Sequence, residues 1–445
     1  MQRKRDKTHA KAKKTKKNKH WEHFKNLMKV VKKEITISYH NYINNIIGES
    51  LSTNPKRFWS FIKQTKTETL GIPTLYSNDK MQTTDHDKAN TLNNHFKSVF
   101  TNEQLPIPSK GPSQFPSIQT LDIGVNGVRK QLEALKPQKA TGPDEIPARV
   151  LKDTASEIST IVQHIFQQSY TTGKLPQAWT TALVTLIYKK GNKSNPANYR
   201  PISLTCILCK VMEHIVLSHM WKHLNANDVI LHHQHGFQTG LSCQTQLVEA
   251  VHDWASSMNN NKQTDILLLD FSKAFDTVPH KRLLNKLNYY GITGPTLQWI
   301  NSFLSNRTQT VSVNGSHSSP ANVISGVPQG SVLGPVLFLL YINDITDSIN
   351  SNFADDSILY REIQTPKDHD VLQTDLNKHS EWATKWQMNF NIAKCHLLRI
   401  TQKRKRSPFN YTIKNQPISQ VESHPYLGIK AVMVKTHTHH HITMC

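Results

Sequence analysis

Thr264-Asp265-Ile266-Leu267-Leu268-Leu269-Asp270, followed without a break by Phe271-Ser272-Lys273-Ala274-Phe275-Asp276, is the stretch on which the reading of this chain turns. The continuous apolar run Ile266–Leu269 is what a strand buried on both faces looks like. It ends in Asp270, and a carboxylate at the end of a buried strand stays ionised only with a cation or hydrogen-bond donors to hold it. A metal ion is one solution. A cap on the following helix is the other, and Asp276 suits that role better.

A second acidic site lies at Phe353-Ala354-Asp355-Asp356, ahead of the strand-like Ser357-Ile358-Leu359-Tyr360. Adjacent aspartates repel, so a pair at a strand turn makes most sense around divalent metal. With Asp270 they could hold two Mg²⁺ ions about 3.5–4 Å apart for in-line phosphoryl transfer. One ion would activate a primer 3′-hydroxyl; the other would hold the triphosphate and the leaving pyrophosphate. Alone, an Asp-Asp pair is usually a solvated turn, so the weight rests on the combination. Between the two sites, Ser325-Gly326-Val327-Pro328-Gln329-Gly330-Ser331-Val332-Leu333-Gly334-Pro335 leads into the apolar Val336–Ile342. Its glycines and prolines make a shaped turn that backbone or ligand can approach closely. The helix after it is expected to present its N-terminus to anionic groups. A core-packing turn before a buried helix is compatible with that.

The chain has 445 residues, with 54 Lys+Arg against 32 Asp+Glu and a formal net charge of +22. This length suits two or three packed units with an ample core. Between Met1 and Lys33, fourteen Lys and Arg residues face only Asp6 and Glu22. A basic arm on a basic body favours a polyanion, most simply nucleic acid held through phosphate contacts and counterion release. For the arm alone, a solvated tail or a nuclear-import signal is the blander reading. Five cysteines cannot staple a chain this long. The longest apolar stretch, near Val332–Ile342, is far shorter than the ~20 residues of a membrane span. No apolar core follows the N-terminal charges. An intracellular protein, nuclear or ribonucleoprotein-associated and without a membrane partner, is expected.

Along the chain, Trp21–Ile47 reads as one basic helix, residues 57–63 as a second short one, and residues 71–86 as a loop or weak hairpin. Ala89–Phe100 reads as helix, and the prolines of Leu105–Pro116 mark a linker. The expected division is an arm (1–33, disordered or helical), a helical extension (34–104), a Pro-rich linker (105–120), a folded region (121–430, core about 170–430) and a His-rich, disordered tail (431–445). Inside the folded region, helices are expected at Val128–Leu135, Lys210–Leu224 and Ser242–Met258, and on an apolar face made by Ile158, Ile161, Val162, Ile165 and Phe166. Strands are expected at Thr180–Tyr188 and Tyr199–Leu204, around a basic turn. The mixture lacks a βαβ alternation, so the class is α+β. Cys206 and Cys209 look like half a zinc site, but Cys243 and Cys395 lack the paired spacing and Cys206–Leu217 reads as helix. Trp382 and Trp386, four apart, read as core.

The order of these motifs resembles the reverse transcriptases of non-LTR retrotransposons, over roughly Trp21 to Gly428. Asp270–Asp276 is similar to the first catalytic motif, Ser325–Pro335 to the nucleotide- and template-contacting motif, and Phe353–Asp356 to the second catalytic motif. Leu186–Leu204, with Tyr199-Arg200-Pro201-Ile202-Ser203-Leu204 at its centre, resembles the fingers hairpin. Trp382–Leu397 with Lys394 resembles the palm's closing motif, and Tyr426-Leu427-Gly428 its primer grip. The resemblance implies a right-handed polymerase with fingers and palm, copying an RNA template onto a DNA primer or target with deoxynucleoside triphosphates and two Mg²⁺ ions. It implies Asp270, Asp355 and Asp356 as metal ligands, with the Phe271 carbonyl assisting. Phe275 would stand under the incoming sugar and clash with a 2′-hydroxyl. Lys189, Lys190 and Arg200 would line the triphosphate path, Arg200 as a bidentate clamp. Gln329 and Gly330 would pack against nucleotide and template, and Lys394 would approach the phosphates as a charge or proton donor.

Four departures stand out. No endonuclease sequence precedes the arm. Gln238 replaces the arginine usual after Gly-Phe, which removes a charge near the template. The chain stops soon after Gly428, so a thumb is expected to be missing and Lys430–Cys445 reads as unrelated sequence. Before Asp355-Asp356 the usual apolar strand is replaced by Asn350-Ser351-Asn352 and is about three residues short, and since Asn and Ser are poor strand formers a distorted hairpin is expected. The reading is an RNA-directed DNA polymerase domain, truncated and degenerate. The alternative is a catalytically inactive nucleic-acid-binding remnant. Phe275 argues against an RNA replicase, which must admit the 2′-hydroxyl.

Overall fold

Residues 2–48, 54–55, 59, 71–77, 80–345, 351–353, 356–403, 406–427, 429–435 and 440–444 are described by a computed structural model. It falls into two units, Met1–Gly71 and Ile72–Cys445.

In the first unit the basic arm is helical. Gln2–Thr15 and Asn18–Asn41 are α-helices that pack together, and a π-helical stretch, Tyr42–Ile47, continues the second. Lys16, at φ +54°, makes the break between them. Ala12 and Val31 are buried, and the His9 ring meets Phe24 and Trp21 at 4.7 and 5.8 Å. The helix expected over residues 57–63 lies almost wholly outside the described residues.

The second unit is built on a five-stranded sheet whose order is Ser419–Val421, His396–Thr401, Gln263–Asp270, Asp356–Ile363, Ser351–Phe353. Gln263–Asp270 is central and antiparallel to both neighbours. The sheet is covered on both sides. Leu267 and Leu269 point into the main core with Leu359 and Leu397, against helices that include His280–Tyr289, Gly334–Ile342 and Pro366–Lys385. Ile266 and Leu268 point the other way, onto Leu247, Ala250, Trp254 and Met258 of helix Cys243–Asn259. Alternation sends successive side chains to opposite faces, and two apolar faces therefore require the unbroken run Ile266–Leu269. A second sheet, Tyr199–Leu204, Thr181–Tyr188, Arg307–Val313 and Ser316–His317, has Ala321–Val323 paired onto Arg307–Val313. The content is mixed helix and sheet, α+β. Among the described residues no helix is long and apolar enough to cross a membrane.

Several expectations are corrected. The boundary between units falls at Gly71–Ile72 rather than in the linker. Helix Asp85–Ser98 belongs to the second unit because Leu92 and Phe96 need a cover, which Val184, Val311 and Val313 of the second sheet supply. The expected linker is pinned: Lys110 pairs with Asp344 at 2.6 Å, and the Ile118 N–H donates to the Gly291 carbonyl. In helix Ala155–Thr172, Val162 and Phe166 are buried but Ile161 is 64% exposed, so the apolar face is narrower than its sequence. Within the expected tail, the described residues are not structureless: Ile429–Lys435 and His440–Met444 form an antiparallel sheet with Ser423–Tyr426. The run Ile429-Lys430-Ala431-Val432-Met433-Val434, with three β-branched residues in six, is what admits a strand there.

Candidate active site

Asp270 is the last residue of the central strand, placed where the apolar run stops and its side chain reaches partial exposure. Across the ladder, Asp356 is its register partner. Antiparallel partners lie roughly 4.5–5.5 Å apart at Cα, so the start of the second acidic strand is seated beside Asp270. Asp355 lies outside the described residues. On the other edge, the Asn391 N–H donates to the Asp270 carbonyl at 2.8 Å and the Ser272 N–H to the Asn389 carbonyl at 2.7 Å. Peptide groups alternate sides along a strand, so the Phe271 carbonyl faces the edge along which Asp356 pairs with Asp270. The Phe271 ring, meanwhile, is buried and stacks on Phe390 at 4.5 Å.

Cations gather at this strand end. Lys394, at the end of the short helix Ile392–Lys394, places Nζ 2.7 Å from Asp270 Oδ2. Lys189 follows strand Thr181–Tyr188, and its backbone N–H donates to the Asn198 carbonyl, which closes the basic turn. Partial burial lowers the Lys189 pKa; Arg200, Lys394 and Lys190 push the same way, while Asp270 pulls it up. Arg200 is exposed on the paired strand Tyr199–Leu204, opposite Ile187. Lys190 is exposed as well.

A second group assembles beside the first. The Gly326 and Val327 N–H groups donate to the carbonyls of Val278 and Phe275, each at 2.8 Å, which locks the Ser325–Pro335 loop onto the turn after Asp270. Gly326 takes φ +86°, and a Cβ there would meet the Asp276 carbonyl at 2.7 Å. Gly330 takes φ +102°, with the Ser203 carbonyl 2.9 Å from any added Cβ. Both glycines are required by close backbone approach. Gln329 bridges: its Nε2 donates to Asp276 Oδ1 at 2.8 Å and its carbonyl accepts the Ser203 N–H at 2.8 Å. Phe275 rests on Phe338 at 4.5 Å, nearly parallel.

Two readings of local chemistry change. Asp276 does not cap the next helix; it lies within Ala274–Thr277 and accepts from Gln329. Burial raises its pKa, with Gln329, Lys273 and Arg200 opposing. Nor does helix Gly334–Ile342 offer its N-terminus to a ligand. The buried Glu213 carboxylate accepts the Val332 and Leu333 N–H groups at 2.7 and 3.0 Å, and Ser331 Oγ accepts that of Gly334. An internal anion already occupies the positive end. Glu213, on helix Ile207–Ala226 and 119 residues before its partner, carries no local signal that could have revealed this role. Cys206 and Cys209 are buried at the start of that helix, and burial pushes the Cys206 thiol up to about 12. Trp382 and Trp386 are core residues whose rings, with Tyr341, surround the buried Lys286 ammonium at 3.9–4.7 Å.

A carboxylate at a strand end suits a hard divalent cation, and Asp270 Oδ2 already accepts a positive group from Lys394; among the described residues no group of three or more His, Cys, Asp or Glu gathers as a metal-ion site. Comparison with known proteins bears on what such a site serves. Residues 187–431 match the family described as reverse transcriptase (RNA-dependent DNA polymerase), whose members generally use divalent metal ions. The chain is similar to a probable RNA-directed DNA polymerase from transposon X-element of Drosophila melanogaster, 31% identical over 301 residues, covering 65% of this chain and 33% of the relative. It is similar to the RNA-directed DNA polymerase from mobile element jockey of Drosophila funebris, 28% identical, covering 77% of this chain and 39% of the relative. A probable RNA-directed DNA polymerase from transposon BS of Drosophila melanogaster is 25% identical, covering 80% and 42%. The chain thus spans between a third and about two fifths of these relatives' own length. A match over more than half of the chain, laid across the strand end where Asp270, Asp356 and Lys394 meet, decides the matter: the chain belongs to the reverse transcriptase family, in the branch of the non-LTR retrotransposons.

Proposed function

We propose that this chain is an RNA-directed DNA polymerase domain, adding deoxynucleotides to a primer 3′-hydroxyl along an RNA template. The observation that carries the reading is the register pairing of Asp356 with Asp270 at the open end of the central sheet. In this reading the five-stranded sheet is the palm, and strands Thr181–Tyr188 and Tyr199–Leu204 are the fingers hairpin.

Asp270, Asp355 and Asp356 are the proposed metal ligands, with the Phe271 carbonyl beside them. Bound as a pair, Mg²⁺ ions would supply the charge that lowers the pKa of the primer 3′-hydroxyl and offsets that of the triphosphate and pyrophosphate. The protein's own residues do the remaining work. Arg200, Lys189 and Lys190 receive the triphosphate, Arg200 in bidentate fashion. Lys394 exchanges its Asp270 partner for a phosphate oxygen as charge is delivered to the site, and can hold or give up a proton there. Phe275, set against Phe338, lies under the sugar and leaves no room for a 2′-hydroxyl. Gln329 and Gly330 shape the floor on which nucleotide and template rest. The RNA template, DNA primer and deoxynucleoside triphosphates are the proposed partners, with the basic arm as a further phosphate contact and a nuclear or ribonucleoprotein setting.

The short strand Ser351–Phe353, only three residue pairs long, favours a second reading, a nucleic-acid-binding remnant without catalysis. Primer extension by purified protein on RNA and DNA templates with Mg²⁺ separates them. Extension that requires Asp270 and prefers deoxynucleotides supports the polymerase; RNA binding with no extension supports the remnant.

A further inference from the structure

Phe237 stands in a conformation that bulky side chains rarely adopt, with φ at +56°, and the residue is 49% exposed. The turn that holds it is braced. Buried His235 has Nδ1 3.0 Å from Thr245 Oγ1 and Nε2 3.0 Å from Glu249 Oε2. The Gly236 N–H donates to Gln234 Oε1 at 2.8 Å. A strained backbone and an exposed aromatic ring are each unfavourable, and here the surroundings enforce both. The ring's contact supplies a reason: it meets Phe275 edge-on, centroids 6.3 Å apart at 83°. Phe275 is therefore held on two sides at right angles, by Phe338 from the core and by Phe237 from the surface.

We propose that Phe237 is the outer brace of the Phe275 sugar gate, a positioning residue for the choice between deoxy- and ribonucleotides; this rests on the reading of Phe275 given above. A ring excludes a 2′-hydroxyl only while it cannot turn away. Parallel stacking on Phe338 resists tilting but permits sliding within the stacking plane, toward the open side. Phe237 fills that side, and the edge-on contact stops the slide. The left-handed turn at Phe237 is what directs its ring there, since an extended residue at that position would carry the side chain elsewhere.

Equilibrium nucleotide binding tests this without requiring turnover. The full chain is assembled with an RNA template, a 3′-dideoxy-terminated DNA primer and Mg²⁺, and its affinities for dATP and ATP opposite a templating uridine are measured. Phe237→Ala and Phe237→Gly should each narrow the dATP preference by roughly 2- to 10-fold, the range of one aromatic pair, through tighter ATP binding with dATP affinity held. Phe237→Gly removes the ring while relieving the positive φ, so a disrupted turn cannot account for its result. Phe237→Tyr should retain the preference. Equal weakening of both nucleotides in the Ala and Gly variants would assign Phe237 to the turn or to the template and overturn the proposal. If the unaltered chain binds neither nucleotide, or both equally, Phe275 is not a gate and the proposal falls with that reading.

Discussion

Asp265 and Asp270 lie five residues apart on one strand and meet opposite environments. Asp265 is fully buried and fully answered: Arg399 reaches it at 2.8 and 3.2 Å, and Gln263 and Tyr411 donate at 3.0 Å. A buried carboxylate so compensated is structural. Asp270 faces the open end and pairs with Lys394, whose side chain is about half exposed. An exposed pair of this kind is weak, so Lys394 can leave it for a phosphate at little cost. Phe275 belongs to the same scale. Replacing its ring with a smaller side chain should open space where a 2′-hydroxyl fits, and such steric terms are worth roughly 10- to 200-fold in discrimination. In a form of the chain that extends primers measurably, we expect Phe275→Val to raise ribonucleotide use by about that factor, with little loss of deoxynucleotide incorporation on matched substrates. Unchanged selectivity would remove Phe275 from the sugar.

Among the elements, the acidic hairpin and the helix after the glycine-rich loop carry the tension. Strand Ser351–Phe353 forms although Asn and Ser are poor strand residues, because a pre-ordered neighbour supplies the ladder and context overrides propensity. Three pairs remain a short lever for ligands that need placement within ~0.5 Å. We expect weak or no extension by the unmodified chain. Inserting Val-Arg-Leu between Asn352 and Phe353 should tighten Mg²⁺ binding, and any extension it restores should vanish with Asp355→Ala. Robust extension by the unmodified chain would show that the short hairpin suffices. Helix Gly334–Ile342 depends on Glu213, whose pKa is raised by burial, with the Leu333 and Val332 N–H groups and Arg307 opposing. A raised carboxyl binds its proton more tightly folded than unfolded, so its contribution falls as pH rises from the ordinary glutamate value to the raised one, then levels off. Glu213→Gln keeps an acceptor oxygen and should gain stability relative to the parent across that window. Glu213→Ala leaves the Val332 and Leu333 donors unpaired and should cost about 1–3 kcal/mol. Thermal unfolding across pH distinguishes these: a Gln variant that tracks the parent at every pH would contradict the raised carboxyl, and an Ala variant as stable as the parent would contradict the cap.

For the whole molecule, charge and chain order speak to different questions. The helical arm carries fourteen basic residues to Lys33. If it binds phosphates, affinity for RNA should fall steeply with salt. Deleting residues 1–33 should then flatten the log–log slope by ~0.7 for each phosphate of single-stranded RNA that the arm had neutralised. Binding measured from low to moderate salt decides this, and a slope unmoved by the deletion takes the arm out of the interface. The sequence alone determined the central strand, because a double-sided cover demands the unbroken run Ile266–Leu269 and leaves a local signature. It also determined the order of the motifs, and with it the family, since Asp270, Gly326, Gln329 and Asp356 are read along the chain. Only the tertiary structure decided what Asp276, Glu213 and Phe237 do. Asp276 turned from a helix cap into the partner of Gln329, Glu213 proved to cap a helix 119 residues further on, and Phe237 came to rest on Phe275. Helix Asp85–Ser98 joined the second sheet in the same way, since nothing in its own residues names the surface that covers Leu92 and Phe96. Periodicity and chain-end chemistry act between neighbours in sequence, so they can be read there. The partner of a buried carboxylate or an apolar face is chosen by which distant segment packs against it, and that choice is made only when the chain closes.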